Sequence, residues 1–214
     1  MKMLELFSGT KTVSNTFKAQ GYDVYTIDIN PDLTPDLVAD IATVDAAYIL
    51  KHFGKPDVIW ASPDCTKFSW ASGSRNEFAK ANTKPLSEGA REAINLVKHT
   101  LLLIEELQPD YWFLENPNHG ALSDFKWMKP YPITTVAYCK YGAPYRKLTD
   151  IWGRFPPSWL PMCHCNHFRH EVKNIKKFKD AKARSVVPFR LAYDIARACK
   201  RDNGRQLMTL EDFK

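Results

Sequence analysis

The 214-residue sequence has no apolar run near the roughly 20 residues that a membrane-spanning helix requires. Its first residues, MKMLELFSG, lack the apolar core and cleavage site of a secretory signal peptide. Its five cysteines are an odd number, and they do not follow the spacing of a disulfide-stabilised fold. Internal repeats and low-complexity segments are also missing from the sequence. These absences exclude membrane-spanning, disulfide-rich and repeat classes, and they predict a protein of the reducing cytoplasm.

The composition is that of a globular protein. Hydrophobic residues make up 44% of the chain and aromatic residues 13%, which is enough for a substantial core and excludes global disorder. At roughly 100–200 residues per domain, the length predicts one domain or one domain with a small appendage.

The net charge of +6 is unevenly distributed. Residues 146–201 contain fourteen Lys/Arg and four Asp/Glu, a local balance of +10, so the remainder of the chain carries −4. A solvated basic surface and a surface that binds polyanions both fit this pattern. The second interpretation has a physical basis, because neutralising phosphates requires lysine and arginine gathered in one place.

Apolar periodicity predicts strands and helices in alternation. Period-2 or continuous apolar runs predict strands at 4–8, 22–29, 37–41, 57–61, 111–115, 133–141 and 150–152. Spacings of three and four predict helices at 12–20, 44–53, 87–107 and 189–201, with Ser87 as an N-cap and Gly21 as a C-cap. This order is typical of an α/β fold with a doubly wound sheet.

In such sheets, ligands bind outside the carboxyl ends of the strands. Distinctive residues lie at five predicted strand ends, at 7–10, 28, 40–41, 62–65 and 115–117. Each has a structural alternative, such as a turn for Gly9, a cap for Asp28 or a buried small side chain for Cys65. Their combination indicates one site.

The first of these turns favours a nucleoside without phosphates. Asp28, about twenty residues after the turn, suits ribose hydroxyls. Lys11, Thr12 and Ser14 stand where the phosphate-binding pattern G-x-G-x-x-G needs small residues, which disfavours a pyrophosphate dinucleotide. S-adenosylmethionine fits better.

Seven segments, in order, resemble the motifs of DNA cytosine-5 methyltransferases. LELFSGTKTVSNTF resembles the first motif, TIDIN the ribose-binding motif and VADI the adenine-binding motif. DVIWASPDCTKFS resembles the nucleophile loop, and FLENP follows at the distance of the Glu-Asn motif. YGAPYRK resembles the Gly-x-Pro and basic motif, and SVVPFRLAYDIA the last motif. The resemblance extends from residue 3 to about residue 199 and implies a Rossmann-like, S-adenosylmethionine-dependent methyltransferase fold with a small basic C-terminal insertion.

The resemblance also implies catalytic roles. Cys65 would add to C6 of cytosine, because C5 is otherwise too weak a nucleophile to take a methyl group. Glu115, held protonated, would donate to N3, and Asn116 would anchor the loop or the glutamate. Arg146 would face the base carbonyl or a phosphate. The target base must be flipped out of the duplex, and the polar loop at 66–84 would close over it.

The implied ligand contacts fall into two sets. The cofactor set is Phe7, Gly9, Thr10, Asp28, Ile29, Asp40, Ile41, Ser62, Pro63, Ser185 and Val186. The nucleic-acid set is Lys67, Ser69, Lys147, Lys173, Lys176 and Lys177.

Four positions depart from the family pattern. Asp64 precedes the nucleophile where the family usually has proline, and a carboxylate there opposes thiolate formation. Lys11 and Thr12 replace glycines, and Thr149 replaces the second basic residue of the Arg-x-Arg motif.

The target-recognition region is much shorter than in the family. About forty residues separate Lys147 from Ser185. The predicted organisation is a catalytic core at 1–155, a reduced recognition segment at 156–184 and a C-terminal helix at 185–214 that returns to the core. The recognition segment contains a potential structural zinc set, Cys163, Cys165, His167 and His170. A basic, imidazole-containing loop that contacts DNA is the alternative.

The sequence supports three functions. The first is methylation of double-stranded DNA by a compact enzyme of the kind found in phages and mobile elements, in the cytoplasm of a bacterium or an infected host cell. Such enzymes protect DNA in restriction-modification, and a partner could supply target recognition. The second is methylation of RNA, including tRNA. The third is a catalytically silent scaffold that binds nucleic acid. Target sequence and oligomeric state remain open.

Overall fold

The computed structural model describes residues 1–69, 77–78, 84–118, 120–163, 173–174 and 185–206. The strands are β1 (Lys2–Leu6), β2 (Asp23–Asp28), β3 (Leu37–Val38), β4 (Val58–Ala61), β5 (Tyr111–Pro117), β6 (Ile133–Ala137), β7 (Tyr145–Arg146), β8 (Leu148–Arg154) and β9 (Lys173–Asn174). The α-helices are α1 (Thr12–Ala19), α2 (Ala46–His52), α3 (Glu88–Leu107) and α4 (Phe189–Gln206). Short 3-10 helices lie at Pro31–Leu33, Ile41–Thr43, Ala121–Asp124, Lys126–Met128 and Tyr138–Tyr141.

Seven strands form one sheet in the order β3-β2-β1-β4-β5-β8-β6. The first five in this order are parallel, and β8 runs antiparallel to both β5 and β6. The order reverses beside β1, so a crevice is expected where the connections after β1 and β4 diverge. The predicted α/β fold with a doubly wound, Rossmann-like sheet is confirmed.

The register aligns the ends of the central strands. Leu6 on β1 pairs with Ala61 on β4, and Ala61 pairs with Leu114 on β5. The residues that follow these three therefore emerge side by side at the carboxyl edge of the sheet. They begin the segments that the sequence marks as chemically distinctive.

Both faces of the sheet are covered, which explains the continuous apolar runs of the central strands. Along β4, Val58 and Trp60 belong to one buried cluster, whereas Ile59 and Ala61 belong to the other. Helices α1 and α4 cover the first face, and α2 and α3 cover the second.

The structure differs from the sequence prediction at the carboxyl ends of two strands. The strand predicted over 133–141 ends at Ala137, and the chain continues as the 3-10 helix Tyr138–Tyr141, which Gly142 terminates at φ 90°. The strand predicted over 37–41 ends at Val38, because the Asp40 carboxylate caps the next 3-10 helix by accepting from the Ala42 amide at 2.9 Å.

The helices follow their predicted signals more closely. Helix α3 begins after Ser87, whose hydroxyl oxygen accepts a hydrogen bond from the Ala90 amide at 3.1 Å, as the predicted N-cap requires. Gly21 follows α1 at φ 75°. None of the helices in the described part of the chain is long and apolar enough to cross a membrane.

Candidate active site

The loop between β1 and α1 has an unusual backbone. Phe7, Gly9 and Lys11 have φ values of 60°, 46° and 58°, a region that residues other than glycine rarely adopt. Asp28, at the end of β2, holds the loop: its Oδ2 accepts from the Gly9 amide and its Oδ1 from the Asn30 amide, both at 2.9 Å. Strained backbone that a buried carboxylate keeps in place is typical of a ligand-binding loop.

A second acidic residue, Glu5, holds the start of the helix that follows this loop. Glu5 is 3% exposed, and its Oε2 accepts from the Ser14 amide in the first turn of α1 at 2.9 Å. Burial raises the pKa of Glu5 to about 8, and the nearby Asp28 carboxylate adds to this increase. Glu5 is not among the site residues predicted from the sequence.

The other predicted cofactor residues lie in this loop, after β2, β3 and β4, and before α4. Ile29 is 66% exposed at the end of β2, an unusual position for a large apolar side chain. Ile41 is buried, whereas Asp40 and Thr10 are exposed. Ser185 and Val186 lie before α4, with Ser185 exposed and Val186 half-buried. The hydroxyl of buried Ser8 has no hydrogen-bond partner among the described residues.

The loop after β4 presents Cys65. Trp60 donates from Nε1 to Ser62 Oγ at 2.8 Å, and Asn116 donates from Nδ2 to the Pro63 carbonyl at 3.3 Å. Asp64 accepts from the Thr66 amide at 3.0 Å and from the Thr66 hydroxyl at 2.6 Å. This turn restricts the backbone where the family pattern has proline.

Aromatic packing anchors the same loop on its far side. Phe68 is fully buried and stacks on Phe78, with ring centres 5.7 Å apart, and both rings contact Phe125 edge-on. The Phe68 carbonyl accepts from the Ala121 amide at 2.8 Å. Lys67, predicted to contact nucleic acid, forms an ion pair with Glu77 at 2.8 Å.

Glu115, on β5, has two donors on one carboxyl oxygen. The Tyr138 hydroxyl donates to Oε1 at 3.0 Å, and Lys147 Nζ lies 3.3 Å from the same atom. Lys147 also lies over the Tyr138 ring, 4.8 Å from its centre. The Lys147 and Glu115 side chains are only 11% and 8% exposed, so water screens this pair weakly.

This pair acts electrostatically on Cys65. Burial raises the pKa of the Cys65 thiol above its usual value, and the Glu115 and Asp64 carboxylates raise it further. The Lys147 ammonium group opposes them by lowering it. The structure therefore brings Cys65, Glu115, Asn116 and Lys147 together.

Two residues close to Lys147 in the sequence, Arg146 and Thr149, lie outside this group. Arg146 is exposed on β7, where it pairs with Asn174 on β9 in a separate two-stranded sheet. Thr149 is fully buried, so the second basic position of the family pattern does not face solvent here. Tyr138 contacts Glu115 but was missed, because the apolar alternation around it predicts only a core strand.

Most of the predicted basic and metal-binding residues lie outside the described part of the chain. These are Cys165, His167, His170, Lys176 and Lys177. Cys163 is half-buried, and of Lys173 only the backbone pairing in β9 is described. Within the described ranges, no three His, Cys, Asp or Glu side chains form a metal-binding group. The zinc set and the contacts of these lysines remain predictions.

A cavity of about 300 Å³ lies at the other end of β5. The C-terminal half of α3, Trp112, Tyr131 and Arg154 line it, and none of the predicted site residues does. It is therefore separate from the candidate active site.

Comparison with known proteins gives the family. No family model matches the sequence. A protein of Frog virus 3 (isolate Goorha), named "Probable DNA (cytosine-5)-methyltransferase", is 30% identical over 155 residues, which are 71% of this chain and 70% of that protein. The chain belongs to the DNA (cytosine-5)-methyltransferase family. The resemblance identified from the motifs is thereby confirmed.

Solved methyltransferase structures share the fold. An Escherichia coli DNA modification methyltransferase encoded within a prophage matches with a TM-score of 0.51 and 21% identity, over 72% of this chain and 46% of that chain. The S. pombe Dnmt2 methyltransferase matches with a TM-score of 0.51 and 16% identity, over 85% of this chain and 61% of that chain. This member of the family thus spans about half to three fifths of the length of these two structures.

Proposed function

We propose that the protein transfers a methyl group from S-adenosylmethionine to C5 of cytosine in DNA, with Cys65 as the covalent catalyst. One observation carries the proposal. A partly buried cysteine follows β4, a buried glutamate on the adjacent strand β5 pairs with a lysine, and the charges of this pair act on the cysteine. The strained loop follows β1, which pairs with β4 on the side opposite β5. A nucleophile, an acid and a nucleoside site thus share one edge.

The residues around the β1 loop fit a nucleoside cofactor. Each Asp28 oxygen already accepts one amide hydrogen bond and can accept another from a ribose hydroxyl. The Ser8 hydroxyl, which has no partner among the described residues, and the exposed Ile29 side chain would supply a polar and an apolar contact. Bound there, S-adenosylmethionine supplies an electrophilic methyl group.

Cys65 and Glu115 prepare the base to accept that group. The Cys65 thiol releases its proton to water as its sulfur forms a bond to C6. The C5–C6 π electrons move into the C4–C5 bond, and the C4–N3 π electrons take up a proton at N3 from the acid form of Glu115. C5 is then nucleophilic enough for methylation. Afterwards the C5 hydrogen leaves as a proton to water, the S–C6 bond breaks, and the N3 proton returns to Glu115.

The raised pKa of Cys65 indicates that the free enzyme holds a thiol at neutral pH. Lys147 is the described cation that favours its ionisation. Because burial contributes most to the increase and a bound base would bury the sulfur further, we expect the thiol to lose its proton only as the sulfur adds to C6.

The position of β9 supports binding of a nucleic acid. Its parallel pairing with β7 brings Lys173 and Asn174, the first two residues of the lysine-rich segment 173–184, beside Tyr145 and Arg146. Arg146 precedes Lys147, so these two residues join the fold near one of the proposed catalytic groups. A duplex with one base flipped into the site would place its phosphates along this side.

The test is transfer of labelled methyl from S-adenosylmethionine to unmodified mixed-sequence DNA, with Cys65→Ala and Cys199→Ala compared. Cys199 is fully buried on α4 and is not part of the proposed site, so it is a matched cysteine control. We expect 5-methylcytosine with the wild type and Cys199→Ala, and none with Cys65→Ala. Label in tRNA but not in DNA would reassign the substrate, and no label in either would contradict the proposal.

A further inference from the structure

Tyr138 is a buried tyrosine whose hydroxyl points at the proposed acid. It is fully buried at the start of the 3-10 helix after β6, and it donates to Glu115 Oε1 at 3.0 Å. A buried tyrosine hydroxyl usually has a hydrogen-bond partner. Here the partner is a carboxyl oxygen of the proposed catalytic acid, which connects Tyr138 to the proposed reaction.

Tyr138 and Lys147 act on the same oxygen. Lys147 lies 3.3 Å from Oε1 and 4.8 Å from the centre of the Tyr138 ring, so the ring also supports the ammonium group. Both side-chain contacts that the described residues make with this carboxyl go to Oε1. The two oxygens of Glu115 are therefore chemically different.

This difference fixes where a proton resides. In a carboxylic acid, one oxygen carries the proton and the other accepts hydrogen bonds. An oxygen that already accepts from two donors is the accepting one. The proton of the acid form is then on Oε2.

We propose that Tyr138 is a positioning residue for proton donation, since its hydroxyl and Lys147 together hold Glu115 Oε1 as the acceptor so that Oε2 protonates N3 of the target cytosine. This inference rests on the proposed function. As Cys65 adds to C6, the proton moves from Oε2 to N3. The carboxylate that results keeps both donors on Oε1, and these stabilise its new charge.

A purely structural role for Tyr138 is the competing explanation. Its ring packs in the same buried cluster as Val136 and Ile151. If the ring alone matters, loss of the hydroxyl lowers stability and leaves the chemistry unchanged. The two explanations therefore differ in what happens to the rate of the base step.

The test replaces the hydroxyl and keeps the ring, as Tyr138→Phe. The matched control is Tyr22→Phe, because Tyr22 is also buried and donates its hydroxyl to the Ala196 carbonyl at 2.8 Å, away from Glu115. Two rates are measured: single-turnover methyl transfer, and release of tritium from C5 of labelled cytosine in DNA without the methyl donor. The second rate reports addition of Cys65 and protonation of N3, followed by exchange of the C5 hydrogen with solvent, and it does not include methyl transfer.

We expect Tyr138→Phe to lower both rates about 10-fold, the usual effect of losing a hydrogen bond to a charged group, with KM for DNA and cofactor within about twofold of wild type. Tyr22→Phe should lose comparable thermal stability and keep both rates. An active wild type with an equally fast Tyr138→Phe variant would overturn this inference alone. A wild type that neither methylates nor releases tritium would overturn the proposed function and this inference with it.

Discussion

At the scale of single residues, the carboxylate beside the nucleophile has two opposing effects. Asp64 shapes the loop through its two hydrogen bonds to Thr66. The same charge raises the pKa of Cys65. Proline would restrict the backbone without this electrostatic cost, so the chain combines a rigid turn with a less reactive thiol in its free state.

Asp64→Asn separates the two effects. An asparagine side-chain oxygen can still accept from the Thr66 amide, whereas the negative charge is lost. We expect a lower pKa for Cys65 and severalfold faster alkylation by iodoacetamide near pH 7.5. Mass spectrometry of the Cys65 peptide measures this rate without any methyl transfer.

Asp45→Asn is the control for that experiment. Asp45 caps α2 by accepting from the Tyr48 amide at 2.7 Å, so it makes a similar local contact away from the nucleophile loop. Its variant should alkylate at the wild-type rate. Equal rates for Asp64→Asn and wild type would show that the Asp64 charge does not act on the thiol.

At the scale of elements, a buried acid links β1 to α1, the strand and helix on the two sides of the cofactor loop. Glu5 lies on β1 and accepts a hydrogen bond from the first turn of α1. A carboxyl with this environment contributes to the pH dependence of folding, because its pKa of about 8 in the folded chain exceeds the value of 4.5 expected without burial.

The sign of this contribution is fixed. Between pH 4.5 and about 8 the folded chain keeps the Glu5 proton and the unfolded chain releases it, so its stabilising contribution is complete below pH 4.5 and is lost as pH rises through 8. In Glu5→Gln the amide oxygen still accepts from the Ser14 amide and no proton is released. We expect the variant to lose less stability than wild type between pH 5 and pH 8.5, by on the order of 3 kcal/mol.

Urea denaturation at the two pH values measures this difference. Glu88→Gln is the control, because Glu88 is exposed at the start of α3. Equal pH dependence in wild type and Glu5→Gln would show that Glu5 ionises in the folded chain as easily as in the unfolded one.

The central strands and the helices could be predicted from sequence because both signals are local. Apolar runs such as 58–61 need cover on both faces, and the spacing of Ala90, Ile94, Val97 and Leu101 places one face of α3 in the core. The 3-10 helix at Tyr138–Tyr141 could not be predicted, since its tyrosines favour a strand and its start depends on hydrogen bonds from the Ala137 amide to the Met162 carbonyl and from the Tyr138 amide to the Lys147 carbonyl. For the same reason, the motifs identified Cys65 and Glu115 but not Tyr138 or Glu5.

At the scale of the whole molecule, positive charge is concentrated in one part of the chain. The +10 balance of residues 146–201 contrasts with −4 elsewhere. Within this part, pairing of β7 with β9 places Lys173 and Asn174 beside Tyr145 and Arg146, next in sequence to Lys147. With the short recognition region that the motif spacing predicts, the chain would bind DNA mainly through phosphates, so its affinity should depend strongly on salt and weakly on sequence.

The double variant Lys176→Ala/Lys177→Ala tests this arrangement against Lys51→Ala/Lys55→Ala, which removes the same charge near the end of α2. Removing one lysine–phosphate ion pair should reduce the slope of log affinity against log salt by about 0.9, so we expect a decrease of roughly 2 for the first variant and little change for the second. Fluorescence anisotropy with a labelled duplex at several salt concentrations measures both slopes. Equal slopes in the two variants would mean that the lysine-rich segment does not bind the duplex, and the basic balance would then be a solvated surface.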